Sequence, residues 1–125
     1  MRLIDGDTSM QVELAQAEKM KCVREKVECK NLSQKLETLL SDYTYCDEKF
    51  KSVIENLSEG CQIGGVGIGY DSLSNREHNI KNQLTIISDT IKCVNRRIDE
   101  LDSRIKQLSV KINTLSIYSG NHAKD

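Results

Sequence analysis

The glycine-rich segment Gly60–Tyr70 is the part of the sequence most similar to a ligand-binding loop, because glycines allow the backbone to approach a phosphate group closely. A P-loop requires Lys and then Ser or Thr after its last glycine, but Tyr70 and Asp71 follow Gly69. The G-x-G-x-x-G pattern of a dinucleotide site requires glycine at the position of Tyr70. The segment is therefore predicted to connect two helices. Its strand-forming residues leave a short β-hairpin as the alternative.

Histidines and cysteines do not form a metal-binding pattern. His78 and His122 lie too far apart to form a local site, and Cys22 and Cys29 supply two ligands where zinc needs four. Serine, cysteine, histidine and carboxylate side chains are present, but catalysis also needs a concave site that perturbs their pKa values. An elongated helical chain offers no such site, so we expect no catalytic, cofactor-binding or metal-binding residues and a protein that is not an enzyme.

Composition predicts long helices as the elements that position these residues. The 125 residues include no Pro, no Trp and one Phe, with 30% charged and 38% hydrophobic residues. Such aliphatic and charged usage is typical of helices and argues against an all-β fold. A formal net charge of −1 gives no electrostatic reason to expect a nucleic acid as partner.

The expected location is the cytoplasm. The first residues, Met1–Asp7, lack the apolar stretch of a secretory signal, and no apolar run approaches the roughly 20 residues that cross a bilayer. The five cysteines include no C-x-x-C pair, and an odd number is unusual for a secreted disulfide framework. We therefore expect reduced thiols.

The second half of the chain has the clearest periodicity. Apolar residues follow one another at alternating spacings of four and three, which is the a and d pattern of a coiled-coil heptad abcdefg. We call the surface formed by the a and d positions the seam. The a column is Leu84, Ile91, Ile98, Ile105 and Ile112, and the d column is Leu73, Ile80, Ile87, Val94, Leu101, Leu108 and Leu115.

The first half carries a second apolar pattern. Its predicted seam consists of Leu32, Leu36, Leu39, Tyr43, Cys46, Phe50, Val53 and Leu57. Leu40 and Ile54 lie beside this seam and widen it. Upstream two shifted patterns compete, one formed by Val12, Met20, Val23 and Val27 and the other by Ala15, Cys22 and Cys29. We expect a local change of supercoil or of partner there.

The predicted architecture is all-α, with two long antiparallel helices forming a coiled-coil helical hairpin. Residues 1–125 form a single domain, with helix one over about 8–58, a loop over 60–70, helix two over about 72–118 and a frayed tail over 119–125. The helices match in length, which favours folding back. Two helices alone bury little apolar area for each ordered residue, so a second copy or a partner protein is expected to complete a bundle.

A parallel homodimer of helix two is the main alternative. Ile at a with Leu at d is its preferred pattern, and Arg97 at g would then meet Asp102 at e of the other copy. Such a dimer would leave the seam of helix one uncovered. The hairpin, or a bundle of two hairpins, satisfies more of the sequence.

A Pro-free helical chain of this size, with a glycine-bearing connection and a heptad helix at its end, resembles the small helical-hairpin proteins of bacterial type VII secretion. The resemblance is to the small partners that accompany LXG-type toxins and covers about residues 8–118. The family's Trp-X-Gly turn has no Trp here, and only Gly64, Gly65, Gly67 or Gly69 matches its glycine. The resemblance implies an adaptor or chaperone that pairs with the helical region of a secreted toxin and is co-exported by a non-Sec route.

The Tyr-x-x-x-Asp export signal of that family occurs as Tyr43 and Asp47, inside helix one, whereas the family places it after the second helix. There, Tyr118 is followed four residues later by His122. We therefore interpret Tyr43 as a core residue, and export of this chain is not expected from the signal.

The chain is also similar to prefoldin β-type subunits, which have two long helices joined by a small β segment. That resemblance implies a chaperone subunit that assembles through residues 60–70.

A protein-binding module is the function that these patterns favour, and a self-associating structural coiled coil is the alternative. The predicted contacts, divided between the internal seam and a protein partner with amphipathic helices, are Leu36, Leu40, Phe50, Ile54, Ile91, Ile98, Ile105 and Ile112.

Overall fold

Two long helices make up the fold. The computed structural model describes the backbone of residues 2–60 and 66–124 and the side chains of residues 7–56 and 71–117. Helix α1 spans Arg2–Gly60 and helix α2 spans Val66–Lys124, and no strand occurs in these two ranges. The helices pack against each other, which confirms the predicted all-α helical hairpin.

Both helices extend beyond their predicted ends. Helix α1 begins at Arg2 rather than near residue 8, and α2 includes residues 66–70 and 119–124, which the sequence assigned to the loop and to a frayed tail. Glycine costs a helix only about 1 kcal/mol relative to Ala, so Gly67 and Gly69 do not prevent a first turn where the following turns are packed. The remaining part of the predicted loop, residues 61–65, lies outside the described residues.

The chain divides into two compact units, each with one segment of either helix. Unit 1 comprises Met1–Asn31 and Val94–Asp125, and unit 2 comprises Leu32–Cys93.

The predicted seam of α2 is confirmed. Ile87, Leu101 and Leu108 are buried, and the other a and d residues from Leu73 to Leu115 are half-buried. Leu108 in unit 1 is completely buried. One heptad before Leu84, the same register places Glu77 at an a position, where it is also buried.

The predicted seam of α1 is wrong at alternate positions. Its observed seam contains, at spacings of four and three, Thr8, Val12, Ala15, Lys19, Cys22, Lys26, Cys29, Ser33, Leu36, Leu40, Tyr43, Asp47, Phe50 and Ile54. Leu32, Leu39, Cys46 and Val53 occupy g positions of this register and are exposed. Leu57 lies outside the described side chains. Upstream, Ala15, Cys22 and Cys29 all lie in the seam, whereas of the competing pattern only Val12 does, and Met20, Val23 and Val27 are exposed.

The charged residues of unit 1 explain which register α1 adopts. Extending the column of Leu32 and Leu39 toward the N-terminus places Glu25 and Glu18 in the seam, whereas the column of Leu40 leads to Lys26 and Lys19. Lysine buries its aliphatic stem and keeps its ammonium group at the surface, which a shorter glutamate does less well. The observed register therefore leaves the glutamates outside the seam, free to form ion pairs.

Ion pairs between the helices show that unit 1 is antiparallel. Glu25 Oε2 lies 2.9 Å from Arg97 Nη2, and Glu18 Oε1 lies 2.7 Å from Arg104 Nη2, so the sequence order along α1 is reversed on α2. Asp102 pairs with Lys26. Arg97 and Asp102, which the parallel homodimer would pair across copies, thus both bind residues of α1 in the same chain.

Candidate protein-binding surfaces

The eight predicted contact residues lie on the internal seam. Each is half-buried, those on α1 at a or d positions and those on α2 at a positions. They are Leu36, Leu40, Phe50, Ile54, Ile91, Ile98, Ile105 and Ile112. Since they occupy the surface between α1 and α2, most of the apolar contacts available to a partner lie outside this register.

Helix α1 carries most of the exposed apolar side chains. Nine large apolar residues described on it are 40–64% exposed, and we call them the outer apolar set. Its members are Met10, Leu14, Met20, Val23 and Val27 in unit 1, and Leu32, Leu39, Tyr45 and Val53 in unit 2. On α2 the exposed large apolar residues are Ile86, Val110 and Ile117.

The two sides of the unit 1 seam differ in polarity. On the side of the g positions, Arg97 binds Glu25 through three hydrogen bonds of 2.9–3.3 Å and Glu100 through one. The hydrogen bonds that it donates to Glu25, and then the one to Glu100, raise the pKa of the Arg97 guanidinium above its ordinary value. Arg104 donates two hydrogen bonds to Glu18. This side is therefore covered by paired charges.

An apolar groove lies on the opposite side of unit 1. It has a volume of about 410 Å³ and is lined by Gln16, Lys19, Met20, Val23, Arg24 and Ile112. We call it the unit 1 groove. Its apolar members come from both helices, and the described residues of its lining include two cations but no carboxylate.

Unit 2 contains two buried carboxylates in its seam. Asp47 and Glu77 are both at least nine-tenths buried, and each pairs with a lysine four residues later: Asp47 Oδ2 lies 3.1 Å from Lys51 Nζ, and Glu77 Oε1 lies 3.1 Å from Lys81 Nζ. Asp47 Oδ1 accepts no hydrogen bond. Glu77 Oε1 also accepts none, although it lies within ion-pair distance of Lys81. Hydrogen bonding to Asp47, followed by its charge, raises the pKa of the Lys51 ammonium.

The residues of the possible export signal are part of this seam. Tyr43 is half-buried and Asp47 is buried. A receptor would have to open the helix pair to read them. The interpretation of Tyr43 as a core residue agrees with its position.

A smaller apolar groove is present in unit 2. Phe50, Val53 and Leu73 line it together with Lys49, and its volume is about 140 Å³. Nearby on α1, the Lys49 ammonium lies 5.4 Å from the centre of the Tyr45 ring, a cation–π contact at an exposed site. Val53 therefore contributes both to the outer apolar set and to this groove.

The described residues contain neither a cluster of metal ligands nor a membrane-spanning segment. Within the described residues, no group of three or more His, Cys, Asp or Glu side chains lies close enough together to bind a metal ion. Neither helix has, in its described residues, a segment long and apolar enough to cross a bilayer. Of the cysteines, Cys46 and Cys93 are exposed thiols. Cys46, predicted on the seam, is thus a surface residue.

Sequence reasoning missed the buried carboxylates and misplaced the exposed leucines. The sequence did contain a signal for the buried carboxylates. Asp47 and Glu77 each have a lysine at i+4 and lie in an a column between apolar residues. Leu32 and Leu39 were indistinguishable from seam residues by spacing alone.

Comparison with known proteins identifies no relative. No family model, no curated protein and no solved structure matches the chain. The resemblance to type VII helical hairpins therefore stays a prediction based on architecture.

Proposed function

We propose that the protein is a non-enzymatic binding module, a small adaptor or chaperone that pairs the outer apolar set of α1 with amphipathic helices of a partner protein. The observation that carries this proposal is the exposure of nine large apolar side chains on one helix whose seam is already occupied by α2. Apolar residues scattered singly are normal on a surface, but aligned ones are typical of interaction sites.

The alignment is clearest in unit 2. Leu32, Leu39 and Val53 all occupy g positions of α1, with Cys46 between them. Residues seven apart lie on one face of a helix, so these side chains form a continuous apolar line next to the seam. A third helix laid along this line would extend the two-helix packing into a bundle.

The class of partner follows from the resemblance. The helical region of a secreted LXG-type toxin is the partner we propose, and this chain would cover apolar surface of that region before export. The proposed location is the cytoplasm, with co-export by a non-Sec route as a further possibility of the same proposal.

Co-expression with the helical N-terminal region of an LXG-type toxin from the same genome tests the proposal. Size-exclusion chromatography with light scattering should show a complex with a defined stoichiometry. Replacing Leu32, Leu39 and Val53 with Ser should abolish the complex without reducing the helical circular dichroism signal, because none of the three belongs to the seam.

A matched control comes from α2. Ile86, Val110 and Ile117 are exposed to a similar degree, and replacing them with Ser should leave the complex intact. Equal loss in both triple variants would mean that general hydrophobicity, rather than α1, causes the association. A stable homo-oligomer that ignores the toxin region would favour the self-associating structural coiled coil.

A further inference from the structure

The unit 1 groove combines apolar side chains from both helices with two positively charged side chains. Met20, Val23 and Ile112 provide its apolar lining, and Lys19 and Arg24 provide its charge. None of the ion pairs between described residues includes Lys19 or Arg24.

We propose that the unit 1 groove binds an acidic amphipathic helix of a partner protein, with apolar side chains against Met20, Val23 and Ile112 and carboxylates against Lys19 and Arg24. This proposal rests on the proposed function and specifies the chemistry of the partner. It also adds a contact in unit 1 to the one proposed for the apolar line of Leu32, Leu39 and Val53 in unit 2.

The positive charges of Lys19 and Arg24 favour a partner helix that carries negative charge. Lys19 occupies an a position and is half-buried, so its ammonium group emerges at the edge of the seam. Arg24 also lines a second surface pocket, together with Lys21, Glu25, Glu28 and Arg97, but no ion pair joins it to either glutamate. Since Glu25 is bound to Arg97, an incoming carboxylate is the complementary group for the groove.

A helix suits the groove better than an extended peptide. Strand addition requires an edge with free backbone N–H and C=O groups, and both walls of the groove are helices whose backbone groups bond within the helix. On α2, the e positions on either side of Ile112 are Ser109 and Ser116. The Ser109 hydroxyl donates to the Ile105 carbonyl at 2.8 Å, so this small side chain needs no external partner.

A second copy of this chain is a poorer occupant. In a two-fold symmetric dimer the same patch is used by both copies. The groove would then bring together four cations and none of its lining residues would supply a carboxylate. Like charges across an interface oppose binding, so the rim disfavours this pairing.

Two designed helical peptides test the proposal. Both have Leu at every a and d position, and they differ only in carrying Glu or Lys at every flanking position. In fluorescence anisotropy titrations, the full chain should bind the acidic peptide roughly tenfold more tightly than the basic one, as expected for two exposed charge pairs.

Charge reversal at the rim provides the decisive comparison. The Lys19→Glu, Arg24→Glu double variant should lose or invert the preference, while Arg96→Glu with Lys35→Glu, which changes the net charge equally at exposed positions outside the groove lining, should keep it. Arg24 is exposed, so Arg24→Glu alone serves if the double variant loses helicity. It should reduce the preference about tenfold, because reversing one of two equal contributions cancels the other.

Three results would overturn the proposal. A preference that survives Lys19→Glu and Arg24→Glu would remove the groove as the site. Binding that is lost only in the Leu32, Leu39 and Val53 variant would move the contact to unit 2 and leave the proposed function standing. Binding of neither peptide, together with a stable homo-oligomer, would contradict both.

Discussion

The buried carboxylate of Asp47 makes a prediction that depends on the corrected register. We expect Asp47→Leu to stabilise the protein, although it removes an ion pair. Asp47 lies at an a position of the α1 seam and is only 6% exposed, and its Oδ1 atom has no hydrogen-bond partner. The ion pair that would be lost links Oδ2 to Lys51, whose side chain is about half exposed.

The expected gain follows from opposing contributions. An unsatisfied buried polar atom costs about 1–3 kcal/mol. Loss of an i,i+4 ion pair costs about 0.3–0.5 kcal/mol. Burial of the leucine side chain contributes about 1.5–3 kcal/mol, reduced by about 1–3 kcal/mol if the larger side chain is crowded. The net expectation is an increase of about 2 kcal/mol in the free energy of unfolding.

Urea unfolding followed by circular dichroism measures this change, with an unchanged m-value as the check on two-state behaviour. Asp42→Leu is the matched control, because Asp42 lies on the same helix but is exposed, and its effect should stay within about 0.5 kcal/mol. If Asp47→Leu destabilises the protein while Asp42→Leu does not, the carboxylate is satisfied by a partner and the assigned seam of α1 is wrong.

Three further predictions test the packing and the charges of unit 1. Leu108→Ala should lower the free energy of unfolding by about 2–5 kcal/mol, because Leu108 is completely buried. Val110→Ala, at an exposed position, should change it by less than about 0.5 kcal/mol. Chemical denaturation measures both changes, and equal effects would contradict the α2 register. Ile98→Asp places a carboxylate in the seam and should abolish the helical circular dichroism signal or the assembly, and unchanged helicity would refute the coiled coil. A hydrogen bond from Lys26 lowers the pKa of Asp102. The ionised Asp102 carboxylate therefore stabilises the folded state above the unfolded-state pKa of about 3.9, and this stabilisation is lost as the pH falls through the lower folded-state pKa. Asp102→Asn should therefore reduce the urea midpoint near neutral pH but not near about pH 2, and a pH-independent difference would exclude this cause.

Helix α2 was predictable because its apolar residues form one unbroken heptad pattern. From Ile80 to Leu115 every a and d position is aliphatic, and no neighbouring column competes. Periodicity alone therefore determines which face is buried.

Helix α1 was predictable as a helix but not in its register. Leu39 and Leu40 are neighbours, and both belong to columns with several apolar members. The choice depends on whether lysines or glutamates enter the seam of unit 1, a difference in side-chain length and pairing that a count of apolar residues does not contain.

The candidate binding surface could not be predicted from the sequence for the same reason, because it depends on the register of α1. The predicted contacts belong to the seam, and the exposed apolar residues emerge only once the register is known. The unit 1 groove depends on Ile112 of α2 lying beside Met20 and Val23 of α1, which requires the antiparallel alignment given by the ion pairs.

The central claim is that the folded chain keeps apolar surface exposed for a partner. Fluorescence of an apolar-surface dye, measured together with light scattering over a dilution series, tests it most directly. The account predicts a helical chain that binds the dye and shows weaker dye fluorescence when Leu32, Leu39 and Val53 are replaced with Ser. A homo-oligomer of constant mass at every dilution, with no dye binding, would contradict it.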